Sequence, residues 1–277
     1  MNIGIVGLGL IGGTYAKALK KYPYTIYGID INQESLDYGL KEGFIDVGTT
    51  TPKDVLNKLD VVFLCLYPEA TIKFVQQNIS NFKRDAIISD VVGIKRKLVD
   101  MFDMYKDDDV EFVFTHPIAG REKIGVTFSD EAIFHNANFV ITPTKYNKEE
   151  SLNLIEILAK QMGFKNITRL SDVDHDNIIA FTSQLTHAIA ISLVNSDDDH
   201  YNTSVFIGDS YKDLTRIAMI NENLWSELFI QNKDFLVKRI NAFEKELDKL
   251  KSALKSKDTE TLKQIMKDST DKRRRIG

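Results

Sequence analysis

The sequence predicts an α/β fold: a doubly wound, mostly parallel sheet in the N-terminal part and an all-helical C-terminal part. Three observations carry this. Short apolar runs alternate with helix-like stretches through residue 170. The first of these runs enters a glycine-rich turn that opens a helix. Beyond Ser171 β-like runs become few, and no proline follows Pro143. The boundary therefore falls between units 1–170 and 171–277.

The strands expected in the first unit are Asn2–Val6, Thr25–Ile29, Val61–Leu66, Ala86–Ser89, Glu111–Thr115, Phe139–Thr142 and Asn166–Leu170. Several are continuously apolar and bracketed by turn residues, as strands covered on both faces are. The first strand runs into Gly7-x-Gly9-x-x-Gly12-Gly13, then a helix-like segment, then a second strand ending at Asp30. Each part suits a dinucleotide. Gly7 permits the tight turn, Gly9 leaves room for the pyrophosphate, and Gly12 lets helix and strand approach. The helix N-terminus offers unpaired N–H groups and a positive dipole end. Asp30 stands where a carboxylate accepts hydrogen bonds from the adenosine ribose. Gly7, Leu8, Gly9, Leu10, Ile11, Gly12 and Asp30 are thus the candidate cofactor site of a Rossmann-type unit. The carboxylate repels a 2′-phosphate, and Ile31 and Asn32 supply no cation, so NAD is expected rather than NADP.

Helix signals separate the strands. Thr51-Pro52 offers a cap followed by proline at the first helical position. Asn147 is a candidate cap for a helix through Ala159, with Gly163 as its stop. Ser171-x-x-Asp174 reads as a capping box that opens a long helix through about Val194. Helices follow almost throughout. Leu236, Ile240, Phe243, Leu247, Leu250 and Leu254 recur at spacings of four and three, a coiled-coil-like seam. It packs either on its own unit or on a second copy of the chain. The dimer is favoured, because a small helical unit has few other partners for such a stripe.

Bulk properties narrow the function. The 277 residues are 43% hydrophobic and 27% charged, which argues against disorder. The net charge of −4 argues against a general attraction to nucleic acid or anionic membrane. The basic cluster Lys272-Arg273-Arg274-Arg275 reads as a solvated helix end. Cys65, the single cysteine, reads as strand filler, and one cysteine cannot form an intrachain disulfide, which suits a reducing cytoplasm. No signal peptide and no membrane span are expected, since the chain starts without a basic, long apolar leader and lacks a long uninterrupted apolar run.

In an open α/β sheet ligands sit beyond the carboxyl ends of the strands. That rule selects Leu66-Tyr67-Pro68, Ser89-Asp90-Val91 and Thr115-His116-Pro117. Position alone leaves two readings of His116: a base near the nicotinamide, or a histidine that satisfies a turn. In the helical part Ser183 and His187 share a helix face. Asp213 and Arg216 either pair with each other, or Arg216 turns its planar fork to a substrate carboxylate. No cluster with metal-ligand spacing is present, so no metal is expected.

Together GLGLIGG, His116-Pro117-Ile118-Ala119-Gly120, the Ser183-x-Leu185-x-His187 pattern, Lys212-Asp213-Leu214-Thr215-Arg216-Ile217-Ala218 and Asn221–Asn232 resemble the prephenate dehydrogenase family, which includes arogenate dehydrogenases. The resemblance spans residues 1–240 in matching order. It implies His116 as catalytic base, Arg216 as substrate ligand, NAD as cofactor and a homodimer through the C-terminal helices. It implies oxidative decarboxylation of prephenate to 4-hydroxyphenylpyruvate on the route to tyrosine. His187, Ser89, Arg121 and Lys212 join Arg216 as substrate-site candidates. The chain departs from the family pattern at Gly93, where a serine is common; Ser89 or a water is the candidate substitute. Arg121 adds a cation after the HPIAG motif, either to bind carboxylate or to pair with Glu122. Gln184 and Thr186 replace a histidine and a proline. No chorismate mutase or separate regulatory segment is recognised, so tyrosine feedback is expected only at the active site or dimer interface. The alternatives are an arogenate dehydrogenase, another dehydrogenase of the β-hydroxyacid or pyrroline carboxylate reductase type, and a non-enzymatic NAD sensor.

Overall fold

The computed structural model describes residues 1–106, 108–120, 123–198 and 200–276. Eight strands form one sheet: β1 (Asn2–Val6), β2 (Thr25–Ile29), β3 (Val47–Thr49), β4 (Val61–Leu64), β5 (Ala86–Asp90), β6 (Val110–Ile118), β7 (Asn138–Thr142) and β8 (Asn166–Arg169). Their order is β3-β2-β1-β4-β5-β6-β7-β8. β1 to β6 are parallel; β7 runs antiparallel to β6, and β8 parallel to β7. The connecting helices are α1 (Leu10–Leu19), α2 (Gln33–Lys41), α3 (Pro68–Asn78), α4 (Arg96–Phe102) and α5 (Glu149–Gln161). The chain order reverses between β1 and β4, which opens the crevice where such sheets bind ligands.

Both faces of the sheet are covered, which explains the continuous apolar runs. Val61 and Phe63 enter one core, with Ile3, Ile5, Tyr15 and Leu19. Val62 and Leu64 enter the other, with Val6, Ile88, Phe114 and Leu228 of the helical unit. The alternation is the two-residue period of a strand.

Several boundaries differ from the sequence reading. β3 is a three-residue edge strand, too short to leave a periodic signal. β4 ends at Leu64, not Leu66. β6 continues through His116 and Pro117 to Ile118, because β7 pairs with it beyond the end of β5. Thr51-Pro52 opens two short 3-10 turns rather than an α-helix. Asn147 does not cap α5; its Nδ2 donates to Phe112 O at 2.7 Å and its Oδ1 accepts from Thr144 N at 2.8 Å. Cys65 is half-buried against the first core, and burial pushes its thiol pKa up.

The helical unit comprises α6 (Asp172–Ile179), α7 (Leu185–Asn195), α8 (Asp209–Thr215), α9 (Glu222–Gln231), α10 (Lys233–Lys255) and α11 (Thr259–Ile276). Ser171 caps α6 by accepting from Asp174 N at 3.1 Å. A π-helical turn, Ala180–Gln184, joins α6 to α7, so the long helix is continuous but locally widened. By length and composition this 24-residue helix could cross a membrane, which counting uninterrupted apolar residues did not anticipate. Its buried polar side chains nevertheless bind protein: Asp176 reaches residues 95 and 96, and Gln184 donates to Leu228 O. The seam on α10 divides. Leu236 is buried within the chain, whereas Phe243, Leu247 and Leu254 remain exposed.

The glycine turn has the expected construction. Gly7 adopts φ +89°, and a Cβ there would lie 2.6 Å from Cys65 O. A Cβ on Gly12 would overlap the carbonyl oxygen of Gly7, whereas one on Gly9 would meet nothing within 4 Å. Gly12 therefore serves packing, and Gly9 leaves the α1 N-terminus open. The Gly12→Ala variant should lose about 1–3 kcal/mol in denaturant unfolding, the cost typical of an overpacked core; wild-type stability would show that the turn relaxes freely.

Candidate active site

His116 lies on β6 just beyond the last residue pair between β5 and β6. Its strand is held there by β7, opposite Val140. The half-buried imidazole uses Nδ1 to contact Nε2 of His175 on α6 at 2.9 Å. His175 is fully buried, and its Nδ1 contacts Asp176 Oδ1 at 2.7 Å. Asp176 also accepts from the backbone N–H groups of Lys95, at 2.7 Å, and Arg96, at 3.0 Å. Two histidines and an acid thus run from the sheet edge into the helical unit and back to the start of α4.

Beneath this row Lys95 forms a buried ion pair with Asp90 at the end of β5. Asp90 accepts further bonds from Val92 N at 2.8 Å and Thr115 N at 3.2 Å. Burial, then His175, then the Lys95 charge hold the His116 pKa well below its ordinary value. Burial is also the largest influence lowering His175. Both imidazoles are therefore neutral near pH 7.

The other His116 nitrogen, Nε2, faces Gly93. A Cβ at Gly93 would lie 3.6 Å from Nε2 and 3.5 Å from Leu228 Cδ2. Leu228 and Trp225 stand one turn apart on α9, and the Trp225 ring lies 3.7 Å from that of His187, centroid to centroid. His187 Nδ1 contacts Ser183 O at 2.9 Å. One face of α9 therefore runs from the His116 region to His187. Gln184 and Asn232 fix this helix: Gln184 Nε2 donates to Leu228 O at 3.0 Å, and Asn232 Nδ2 donates to Gln184 Oε1 at 2.8 Å.

The remaining sequence candidates fall in different places. Ser89 is buried within β5, its Oγ 3.1 Å from Thr115 Oγ1, so it does not stand in for a side chain at position 93. That expectation is corrected: the strand continues through Asp90, which turns Ser89 into the sheet. Lys212 and Arg216 are exposed, on α8 and the 3-10 turn Arg216–Ala218 that packs against α7. Arg121 and Glu122 lie outside the described residues. At the crevice, Leu10 and Ile11 open α1 beside the Gly9 cap, while the Leu8 side chain is buried. Asp30 Oδ2 accepts from Leu8 N at 2.6 Å and Oδ1 from Asn32 N at 2.8 Å. The acid therefore ties the glycine turn to the end of β2. These residues fit a dinucleotide: an open helix N-terminus, a glycine over free space, and a carboxylate at the second strand end.

His175 and Asp176 are the residues that sequence reasoning missed. Their signal was an adjacent histidine and acid among the polar residues that open the long helix, but only the fold shows that they meet His116.

Comparison with known proteins agrees with this architecture. Residues 15–168 match the family model "Prephenate dehydrogenase, nucleotide-binding domain", and residues 171–268 match "Prephenate dehydrogenase, dimerization domain". The chain is 30% identical over 279 residues to prephenate dehydrogenase of Bacillus subtilis, covering 98% of this chain and 75% of that one. It is 27% identical to cyclohexadienyl dehydrogenase of Zymomonas mobilis, covering 97% and 93%. Prephenate dehydrogenase of Aquifex aeolicus, solved with hydroxyphenyl propionate and NAD+, superposes with a TM-score of 0.91 at 30% identity, covering 100% and 98%. By the shared order of both units, the chain belongs to the prephenate dehydrogenase family.

Proposed function

We propose that the chain carries out NAD-dependent oxidative decarboxylation of prephenate to 4-hydroxyphenylpyruvate, a step toward tyrosine. The observation that carries this reading is a neutral imidazole, His116, whose Nε2 faces Gly93 at the carboxyl end of the sheet that also carries the glycine turn. The Aquifex relative, solved with NAD+ and a hydroxyphenyl compound, supports it.

The N-terminus of α1 and the open Gly9 would hold the pyrophosphate, with Gly7 and Gly12 shaping the turn, and Asp30 would meet the ribose hydroxyls. When bound, NAD+ supplies the hydride acceptor. His116 Nε2 holds the proton of the substrate C4 hydroxyl while hydride leaves C4. The bond from C1 to its carboxylate breaks, its electron pair enters the ring, and carbon dioxide departs. The ring becomes aromatic, and the proton returns to the phenol oxygen. Arg216 is assigned to substrate carboxylate, with His187 of α7 and Lys212 of α8 on the neighbouring helices. Because the ring carboxylate becomes neutral carbon dioxide, binding its full charge too tightly opposes the reaction. Arg216 therefore serves orientation more than barrier lowering. Arogenate is the second substrate to test, since the sequence resemblance takes in arogenate dehydrogenases.

The dimer is assigned to the C-terminal helices, where Phe243, Leu247 and Leu254 are exposed on one helix and the matching family unit is a dimerization domain. A single cysteine supports placement in a reducing cytoplasm.

NADH formation with prephenate and arogenate in parallel tests the reaction. Turnover with prephenate is expected; none with either, while NAD+ still binds, overturns the reading. The His116→Asn variant should lower kcat by about 10²–10⁴-fold. The Arg216→Ala variant should chiefly raise KM, by about 1.5–3 kcal/mol of lost charged hydrogen bonding. Near-normal turnover in the first, or a pure kcat loss in the second, contradicts the roles.

The pH dependence has a definite sign. His116 accepts a proton only as the free base, and its pKa is lowered. The acid limb of kcat/KM should therefore lie below about pH 6.5, the ordinary histidine value, and vanish in His116→Asn. A limb above that value contradicts a half-buried base held neutral. For assembly, the Phe243→Glu/Leu247→Glu double variant should yield monomers by light scattering, whereas a persisting dimer rules out the α10 face.

A further inference from the structure

We propose that His175 is a positioning residue: with Asp176 it fixes which nitrogen of His116 carries hydrogen, leaving Nε2 bare for the substrate. The inference rests on His116 being the base and deepens that assignment.

The hydrogen-bond inventory of the row allows one arrangement. Asp176 Oδ1 accepts from Lys95 N and Oδ2 from Arg96 N, so both oxygens act as acceptors. Nδ1 of His175, 2.7 Å from Oδ1, must then carry a hydrogen and donate it. A neutral imidazole has one N–H, so Nε2 of His175 is bare and accepts. The nitrogen facing it at 2.9 Å, His116 Nδ1, must donate. Nε2 of His116 is left with a lone pair. That lone pair faces Gly93, which brings no side chain to compete for it, and among the described residues Nε2 has no hydrogen-bond partner.

Charges around the row favour the neutral form. His116 is faced by the neutral His175 from α6 and by the Lys95 cation from the turn before α4; burial weighs most against a second proton on it, and the Lys95 charge adds to that. Lys95 is itself paired with Asp90 of β5. A His116 imidazolium would have to donate from Nδ1 as before and place its new proton toward Gly93 and Leu228, an apolar surrounding.

The arrangement also joins the two units. His116, Lys95 and Arg96 belong to the sheet unit, and His175 and Asp176 to the helical unit. The base is therefore set in its working tautomer only when the units are docked.

The test compares wild type with His175→Leu, which removes the acceptor, and His175→Gln, which returns an oxygen near the position of Nε2. Histidine 15N NMR, assigned with His116→Asn, reads the tautomer directly. Wild-type His116 should be protonated at Nδ1, and His175→Leu should lose that preference. In the same variant kcat with prephenate should fall at least about tenfold and by no more than the 10²–10⁴-fold that the base supplies, with KM and the NAD+ Kd within about threefold. The His175→Gln variant should recover most of the lost kcat. An Nε2-protonated His116 in wild type overturns the proposal, even if His175→Leu does not fold. So does unchanged kcat in a folded His175→Leu, or a His175→Gln no better than it. If His116→Asn keeps normal turnover, the base assignment fails instead, and the NMR result still decides the tautomer.

Discussion

Asp176 accepts from the N–H groups of Lys95 and Arg96 and meets His175 through one side chain, while its main-chain oxygen takes a bond from Asn232 Nδ2 at 3.0 Å. The carboxylate is buried, so each bond replaces water it has lost. Hydrogen bonds to a charged group contribute about 1.5–3 kcal/mol each, and removing one partner strands the rest. This side chain therefore helps seat the helical unit on the sheet, beside the bonds of Glu69 to Glu227 and Gln231, and it orients His175 and through it His116. Asn232 extends the same contact to Gln184 and the end of α9. The site depends on docking two units that are separate in sequence.

The buried Lys95–Asp90 pair belongs to this logic. A buried ion pair is a poor source of stability, because desolvation offsets the attraction. Its position explains it better. Asp90 stitches the ends of β5 and β6 through Thr115 N, and Lys95 places a cation near two imidazoles. Burial supplies most of the pressure toward neutral histidine, and the cation adds to it. Leu228 closes the same corner from α9, so His116 Nε2 faces its side chain and the bare backbone of Gly93. In the proposed role of base, an imidazole so placed needs no proton removed before it acts.

Much of the fold was legible because its signals are local. The run Ile3–Val6, the glycine turn and Asp30 lie within thirty residues, and each has a packing or electrostatic reason that survives in the structure. The capping role of Ser171 is equally local. What was not legible depends on partners distant in sequence. β3 exists because β2 offers it an edge, and β6 extends through His116 because β7 returns beside it. Asn147 looked like a helix cap until Phe112 competed for it. Ser89 looked like a rim hydroxyl until the strand carried it inward. His116 itself was found by its place at a strand end, whereas His175, fifty-nine residues later, could be connected to it only by the docked units.

In the proposed reaction the site couples oxidation at C4 to loss of the ring carboxylate. Measuring carbon dioxide and NADH together, from the same prephenate reaction, tests it most directly. One carbon dioxide per NADH throughout the time course is the expected result. NADH without carbon dioxide, or neither product from protein that binds NAD+, would contradict the account.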